Sequence, residues 1–404
     1  MFSSEIARLA PEKRGPEGTR KESLTLCSLA AVTWNFRLVG RTRMLTEAWR
    51  RLEQPTVFVQ VPSLRTAWQR VTARFAGAAD VPVVRPWPTY PARYWLKLGM
   101  KRIASSVRRR AAALRRELDK LIAWDRAVAL VVSPVWAPWL EELPFRRVVY
   151  DCIDELAVHV PRPELAPLYQ EWEERLVARI HGAVVTAERL GDALRARRTT
   201  LPIALIRNGV DVERFRSLAA STPRPADVPM LERPVVGFVG ALYEWIDWEL
   251  IRETARQLPE SEFVFVGPRD RRTSGAGARG LPNVRLLGPR PYERVPAYLE
   301  AFDVCWVPFK QDAVGQAANP VKIYEYLALG KPVVTTPVAD TESFGGLVQV
   351  VRTPAEMVAQ LRAAANAPPG AVAARIEFAR QNSWDARARE YVAFLASLES
   401  PSSA

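Results

Sequence analysis

Cysteine and histidine are scarce in this sequence of 404 residues, and their scarcity excludes several kinds of site. The three cysteines, Cys27, Cys152 and Cys305, are odd in number and far apart, which suits neither a disulfide framework nor a metal-binding spacing. Because the only histidines are His159 and His181, a histidine-rich metal site or a histidine-based hydrolytic triad is unfavourable. We therefore expect a protein of a reducing compartment with no resident metal or cofactor.

The sequence also lacks a long apolar run. Residues 1–22 are polar and have no apolar core of a signal peptide, so they predict a disordered leader. The longest near-apolar run, residues 127–140, contains two prolines and is too short to span a bilayer. The 48% hydrophobic and 25% charged fractions are typical of a globular protein with two or three domains. We expect a cytoplasmic protein, either free or bound to the inner face of the membrane.

Strand patterns alternate with helical patterns along most of the chain. This alternation predicts an α/β protein built on doubly wound parallel sheets. An Asn208-Gly209 turn and a segment with four prolines at 221–234 indicate a junction between two domains.

Residues 319–338 read NPVKIYEYLALGKPVVTTPV and carry the most specific pattern. They predict a turn, a helix of about two turns and a buried strand. Lys322 lies in the first helical turn, where free N–H groups and the helix dipole favour an anion. Glu325 lies on the same face, where a carboxylate suits the vicinal hydroxyls of a sugar. A Lys–Glu surface pair ahead of a core strand is the alternative, and spacing alone leaves both open.

This stretch resembles the nucleotide-sugar signature of GT-B glycosyltransferases, which have two Rossmann-like domains facing a cleft, and especially the retaining family four. The positions that match the K-x-x-E-x-x-A-x-G-x-P-V-V run of that family are Lys322, Glu325, Ala328, Gly330, Pro332, Val333 and Val334. The resemblance implies that Lys322 binds the diphosphate and Glu325 the ribose. Ala317 stands where many members have a glutamate. The Asn319-Pro320 start is closer to a teichuronic-acid-type subgroup and makes Asn319 a donor-site candidate.

The resemblance also implies the domain organisation. Residues 207–215 are similar to the segment that closes the first domain in this family, and 383–385 to the start of a terminal helix that crosses back. The predicted parts are a leader, a first acceptor-binding domain, a linker, a second nucleotide-sugar-binding domain and the terminal helix, with boundaries at 1–22, 23–207, 208–234, 235–383 and 384–404.

Other donor contacts are predicted in the second domain. Gly240 ends a buried strand and lets a diphosphate approach the backbone. Many relatives have Arg and Lys in the loop that follows, whereas this chain has Glu244 and Asp247. By resemblance, Arg290 is expected to contact the nucleotide base. The side chains expected near the donor sugar, in the predicted loop 309–318, are Gln311, Asp312 and Gln316.

Acceptor-side candidates come from the first domain. Trp34 and Arg41 flank the loop after the first strand, which is similar to a loop that faces the cleft in the subgroup. Asp151 and Asp154 follow a buried strand, where general-base and acceptor-binding groups are needed. The YDCxD segment is similar to that of the subgroup, and we predict Asp151, Asp154 and Lys322 as catalytic residues. As an alternative, Asp154 could cap the next helix.

The net positive charge lies in the first half of the chain, because residues 1–207 carry +14 and the remainder carries −1, which together give the total of +13. No acid interrupts a basic cluster formed by Arg93, Lys97, Lys101, Arg102, Arg108, Arg109, Arg110, Arg115 and Arg116. We interpret this cluster as a basic amphipathic helix pair on an anionic membrane surface. A solvated basic helix and a nucleic-acid surface are alternatives, but no nucleic-acid-binding motif accompanies the cluster, so we expect no nucleic-acid partner.

Together these features predict a glycosyltransferase that moves a sugar from a nucleotide-diphosphate sugar, its co-substrate, to a lipid-linked or polysaccharide acceptor of the cell envelope. Retention at the anomeric carbon is implied by the resemblance. A non-catalytic scaffold of an envelope-assembly complex is the main alternative, favoured by Ala317 and the acidic loop at Glu244. A sugar-nucleotide epimerase is less favoured because no acid–base groups for the sugar C2 are evident.

Overall fold

The computed structural model describes residues 24–32, 40–62, 81–87, 95–155, 160, 163–228, 233–269, 280–365 and 371–398, without the side chains of residues 95–104 and 313. Within these ranges each half of the chain builds one parallel sheet. The strands of the first sheet are β1 Thr25–Leu29, β2 Thr56–Val59, β3 Val83–Val84, β4 Ala127–Val131, β5 Arg147–Cys152, β6 Gly182–Val185 and β7 Ile203–Leu205. Those of the second are β8 Val235–Val239, β9 Glu262–Val266, β10 Val284–Gly288, β11 Val304–Val307, β12 Val333–Thr335 and β13 Val348–Val350.

Helices connect the strands and cover both sheets. In the first half they are α1 Arg41–Arg51, α2 Trp95–Leu118, α3 Ala137–Leu140, α4 Ala166–Arg179 and α5 Glu188–Arg197. In the second half they are α6 Val212–Ser221, α7 Trp248–Gln257, α8 Val295–Glu300, α9 Ala313–Ala317, α10 Val321–Ala328, α11 Pro354–Ala365, α12 Val372–Gln381 and α13 Trp384–Ser397.

The two sheets have the same strand order. The first runs β3-β2-β1-β4-β5-β6-β7 and the second β10-β9-β8-β11-β12-β13, with every neighbouring pair parallel. In both, the order reverses direction between the first and the fourth strand, and parallel sheets bind ligands in the crevice at that point. The predicted α/β class with two Rossmann-like units is confirmed.

Each sheet has its own apolar core. β8 and β9 consist entirely of buried residues, as expected for strands covered by helices on both faces. A further cluster joins the start of the chain to its end. Trp49 of α1 donates its indole N–H to the carbonyl of Ala388 at 3.2 Å and packs edge-on against Tyr391 at a centroid distance of 5.3 Å. The last described helix, α13, therefore packs with α1 against the first sheet.

Several local predictions differ from the structure. Residues 95–118 form one 24-residue helix, α2, rather than a helix pair, and its second half packs through a stripe of the buried residues Val107, Ala111, Leu114 and Leu118. The predicted loop 309–318 contains α9. Strand β13 was not predicted at all.

The predicted linker 208–234 contains α6, whose Phe215 is fully buried in the core of the second half. Asp211 begins this helix by accepting a hydrogen bond from the Arg214 N–H at 3.2 Å. The domain boundaries themselves stay a prediction. No helix in the described ranges is both long and apolar enough to cross a bilayer.

Candidate functional site

The stretch 319–338 folds as expected into a turn, the helix α10 and strand β12. α10 begins at Val321 after Pro320 and ends where Gly330 adopts a left-handed φ of 70°. Positions 323–328 are all buried, so this stretch of the helix exposes no side to solvent. Lys322, in the first turn, is only half-buried, at the end of the helix that faces the first domain.

Lys322 lies between aromatic rings and is flanked by carboxylates. Its Nζ lies 5.5 Å from the ring centroid of Phe238 and 5.2 Å from that of Phe309. Burial lowers the pKa of its ammonium, whereas the charges of Glu325 and Asp154 oppose that lowering. Among the described residues no carboxylate oxygen lies within 4.0 Å of Nζ, so its charge remains available to an anion.

Gly240 adjoins Lys322, as the diphosphate prediction requires. A Cβ at Gly240 would lie 2.6 Å from Cε of Lys322, so only glycine leaves room for the lysine stem. The backbone N–H of Gly240 donates to the carbonyl of Val266 at 2.9 Å and is therefore not free to bind phosphate in this structure. In the loop that follows, Glu244 is exposed and Asp247 caps α7 by accepting from the Leu250 N–H at 2.9 Å.

Glu325 is buried and accepts a hydrogen bond from the hydroxyl of Tyr292 at 2.9 Å. Burial raises the pKa of Glu325, while this hydrogen bond and the Lys322 charge lower it. The tyrosine fixes one carboxylate oxygen, which orients the group that the sequence predicts to bind ribose. The ribose contact itself stays a prediction.

Asp154 reaches the same place from the first domain. It lies two residues after β5 and is half-buried. Burial raises its pKa from 3.8 to about 7, and the positive charge of Lys322 opposes the rise. The charge of Asp154 and the charge of Lys322 therefore each act on the pKa of the other group. The segment that follows Asp154, residues 156–159, lies outside the described residues, so a capping role for Asp154 remains the alternative prediction.

Asp151 and Arg41 form a buried ion pair instead of facing an open cleft. The Nε of Arg41 donates to both carboxylate oxygens at 3.2 Å, and the two side chains are only 5% and 2% exposed. The other nitrogens of Arg41 donate to the carbonyls of Ile206 and Arg207 and to Oδ1 of Asn208. This geometry fits a structural role that joins β5 to the domain junction, and it does not support Asp151 as a group that touches substrate.

Asn319 joins the two domains. The backbone N–H of Asn208 donates to Oδ1 of Asn319 at 3.0 Å, and the Asn208 side chain donates to the Asn319 carbonyl at 2.6 Å. A second contact between the domains is the ion pair of Arg207 with Asp340, at 3.0 Å. Asn319 therefore anchors the start of α10 to the domain junction, three residues before Lys322, and its predicted donor contact remains a prediction.

The remaining donor-side candidates have partners within the protein. The three guanidinium nitrogens of Arg290 donate to Tyr298, Pro289 and Asp227, so a nucleotide base would compete with these bonds. The three polar residues expected near the sugar bind neighbouring backbone: Gln311 donates to the carbonyl of Arg352, Asp312 caps α9 and Gln316 donates to the carbonyl of Gln311.

Ala317 is 1% exposed and packs against the core of the first domain. A glutamate in this position would place a carboxylate in that contact, so the domains meet here through a small apolar residue instead.

The acceptor-side candidate Trp34 and part of the basic cluster predicted to face a membrane fall outside the described residues. Trp34 lies outside them, as do the side chains of Lys101 and Arg102. Arg108, Arg109 and Arg110 are exposed on the outer face of α2, with Arg108 paired to Glu142 at 3.0 Å.

Four residues that contact the predicted site were not themselves predicted. Phe238 and Phe309 contact Lys322, Tyr292 donates to Glu325, and Asn208 bonds to Asn319. The signal that could have identified the two phenylalanines is strand order, because Phe238 belongs to β8 and Phe309 follows β11, its neighbour. In the described ranges no group of three or more histidine, cysteine or acidic side chains could hold a metal ion.

Comparison with known proteins relates the second domain to one family. Residues 233–367 match the family described as glycosyl transferases group 1. The chain is 31% identical over 205 residues to the putative teichuronic acid biosynthesis glycosyltransferase TuaH of Bacillus subtilis, a match that covers 48% of this chain and 51% of TuaH. The chain thus spans about half the length of the curated relative it matches.

Solved structures share the fold over nearly the whole chain. A sucrose-phosphate synthase from Thermosynechococcus elongatus superimposes with a TM-score of 0.67 at 15% identity, covering 93% of this chain and 99% of that one. Anabaena Alr3699/HepE, solved with UDP and glucose, gives 0.63 at 14% identity, with the same coverage of each chain. The fold is therefore that of the GT-B glycosyltransferases.

Proposed function

Because residues 233–367 form a glycosyl transferases group 1 domain, we propose that the chain transfers a sugar from a nucleotide-diphosphate sugar to an acceptor hydroxyl. The observation that carries the proposal is the placement of Lys322 at the start of α10, where its ammonium faces Phe238 and Phe309 and has no carboxylate oxygen within 4.0 Å among the described residues. The carboxyl group of Asp154 from the first domain and the ammonium of Lys322 from the second are both half-buried. They mark the place where an acceptor and a donor would meet. Titratable groups with shifted pKa values in a cleft are typical of functional sites.

In the proposed reaction the bond between the sugar C1 and the diphosphate oxygen breaks while the acceptor oxygen bonds to C1. The electron pair of the broken bond leaves with the diphosphate, whose growing charge is stabilised by Lys322 and the N-terminus of α10. The carboxylate of Asp154 accepts a hydrogen bond from the acceptor hydroxyl, orients it and takes up its proton as the bond to C1 forms. The donor is a co-substrate, and no resident cofactor enters these steps. Retention at C1 is carried into the proposal from the family resemblance.

We infer the class of acceptor from the similarity of the chain to TuaH. TuaH is described as a putative teichuronic acid biosynthesis glycosyltransferase, so we assign a growing envelope polysaccharide or its lipid-linked precursor as acceptor. The experiment that tests the function is a thermal-shift screen with UDP-, GDP-, ADP- and dTDP-sugars, followed by detection of hydrolysis or transfer. We expect one nucleotide class to raise Tm by several degrees, because a ligand at 100 times its Kd stabilises by about 2.7 kcal/mol. Stabilisation without turnover would instead favour the scaffold function.

The outer face of α2 supports a membrane-facing orientation of the first domain. Arg108, Arg109 and Arg110 project from it, while the apolar side of α2 at Val107 and Ala111 is buried in the protein core. From residue 105 onward the helix therefore offers charge rather than apolar surface to lipid. Each basic residue near an anionic surface contributes about 1 kcal/mol, which salt screens.

Charge reversal of Arg108, Arg109 and Arg110 to glutamate is expected to release the protein from vesicles containing phosphatidylserine. Because three cations become three anions, partitioning should fall at least about 100-fold at low salt, measured by sedimentation. Reversal of three exposed arginines away from α2, Arg216, Arg256 and Arg389, serves as the control for net charge. If both triple variants sediment like the wild type, the α2 face is only a solvated helix surface.

A further inference from the structure

An aromatic slot surrounds the ammonium of Lys322 and has no role in the reaction as described so far. Its walls are Phe238 and Phe309, whose ring centroids lie 5.5 and 5.2 Å from Nζ. The rings are 6.4 Å apart and inclined at 64°, so each presents part of its face to the same cation. Both distances are within the range at which a ring face attracts an ammonium.

We propose that Phe238 and Phe309 are positioning residues that hold Lys322 charged and aimed at the diphosphate, in place of basic side chains in the loop after β8. The inference rests on the proposed function, because it assigns the means by which that site binds its anion. It extends the function by assigning to two apolar side chains a share of the phosphate affinity.

The slot follows from the sheet order. Phe238 lies on β8, and Phe309 follows β11, which pairs with β8 through Val304 and Val236. Adjacent parallel strands carry both rings to the carboxyl edge where α10 begins. Phe238 is fully buried and Phe309 is 4% exposed, so neither ring can turn away without opening a cavity in the core.

The lysine stem reaches the slot because Gly240 has no side chain, since a Cβ there would lie 2.6 Å from Cε of Lys322. A buried ammonium without a close carboxylate is normally unfavourable. Here the charged groups that face Lys322 are Glu325 on its own helix and Asp154 from the first domain, and both favour the charged form. The rings add attraction without neutralising the charge, which leaves the ammonium available to phosphate.

The confinement of Lys322 by the two rings matters because the loop after β8 offers no other cation to a diphosphate. That loop carries Glu244 and Asp247 but no lysine or arginine between residues 240 and 251. A mobile surface lysine would bind a diphosphate weakly, because its long side chain loses rotamer freedom on binding. An ammonium already confined by two rings has less freedom to lose, which is the general advantage of a pre-organised site.

The test replaces Phe309 by leucine, which keeps apolar volume but removes the negative ring face. We expect the pKa of Lys322 in the ligand-free protein to fall by about 0.5–1 unit, measured by NMR titration of 13Cε-labelled lysine. The Lys322 signal is assigned from its loss in Lys322→Met. Affinity for UDP by calorimetry should fall about 10-fold, and the decline of affinity at alkaline pH should move to lower pH by the same amount as the pKa.

Two further variants separate this effect from damage to the fold. Phe309→Tyr keeps a ring face and should retain the wild-type pKa and affinity. Phe344→Leu removes a fully buried ring that packs on Tyr324, away from Lys322, and should change neither value. An unchanged Lys322 pKa in folded Phe309→Leu, or an equal fall in Phe344→Leu, overturns the proposal. If the wild type binds no nucleoside diphosphate, the proposed function fails, while the NMR titration still decides whether the slot holds the charge.

Discussion

Replacement of Lys322 by methionine is expected to lower the affinity for a nucleoside diphosphate by about 100-fold or more. Methionine fills most of the space of the lysine stem between Phe238 and Phe309, so the fold should persist while the charge is lost. Removing a charge-assisted hydrogen bond and its ion pair costs about 2.7 kcal/mol, which corresponds to that factor. Calorimetry with UDP, or with whichever nucleotide the screen identifies, measures the loss directly.

Lys331→Met is the matched control, because Lys331 follows the same helix and donates to the carbonyl of Glu300, away from the cleft. It should bind the nucleotide as the wild type does. Equal affinities of Lys322→Met and the wild type would remove Lys322 from the phosphate site. That result would also redirect attention to the exposed lysine and arginine side chains elsewhere on the second domain.

Asp154→Asn is expected to show opposite changes in activity and stability. Asparagine cannot accept the acceptor hydroxyl proton or hold the hydroxyl through a negative charge, so kcat should fall about 100- to 10,000-fold. The wild-type rate should rise between pH 6 and 8 with a midpoint near 7, since the carboxylate is the active form and its pKa is about 7. A pH–rate profile on both proteins tests the assignment.

Asp154→Asn is expected to raise the stability of the folded protein, although it lowers the activity. The pKa of Asp154 rises from 3.8 in the unfolded chain to about 7 in the folded protein. The folded state therefore holds a proton that the unfolded state loses, and stability declines as pH rises from about 4 to 7. At pH 8, Asp154→Asn should have a Tm higher by about 5 °C, and the difference should disappear near pH 4.

Glu155→Gln provides the control for Asp154, because the neighbouring Glu155 pairs with Arg189 at 3.4 Å. Its rate and its Tm should follow those of the wild type across the pH range. A loss of activity in Glu155→Gln that matches Asp154→Asn would show that the segment after β5, rather than one carboxylate, governs turnover.

The sequence predicts the parallel α/β architecture well because buried strands and amphipathic helices have distinct periods. It also predicts the local structure of α10, since Gly330 determines where the helix ends. The helix pair interpreted from the basic cluster is wrong, because residues 95–118 form a single helix and one glycine within it costs too little to end it. β13 was missed because three residues, one of them Gln349, make too short a pattern.

The site was predicted less completely because its geometry depends on contacts distant in sequence. Asp151 and Asp154 look alike in the sequence, yet only Asp154 reaches Lys322, because Arg41, 110 residues earlier, takes both oxygens of Asp151. The reciprocal bonds of Asn208 and Asn319 likewise join residues 111 positions apart. Periodicity describes one element at a time and contains no information about such partners.

The packing of α13 on α1 has a consequence for how the protein is made. Trp49 is covered by residues that follow it by 339 positions, so the first domain lacks part of its core until that helix leaves the ribosome. At 5–20 residues per second this interval lasts on the order of 20–70 s. During that time Leu26, Met44 and Trp49 present an apolar face to the surroundings, and a chaperone that shields it would protect the nascent chain from aggregation.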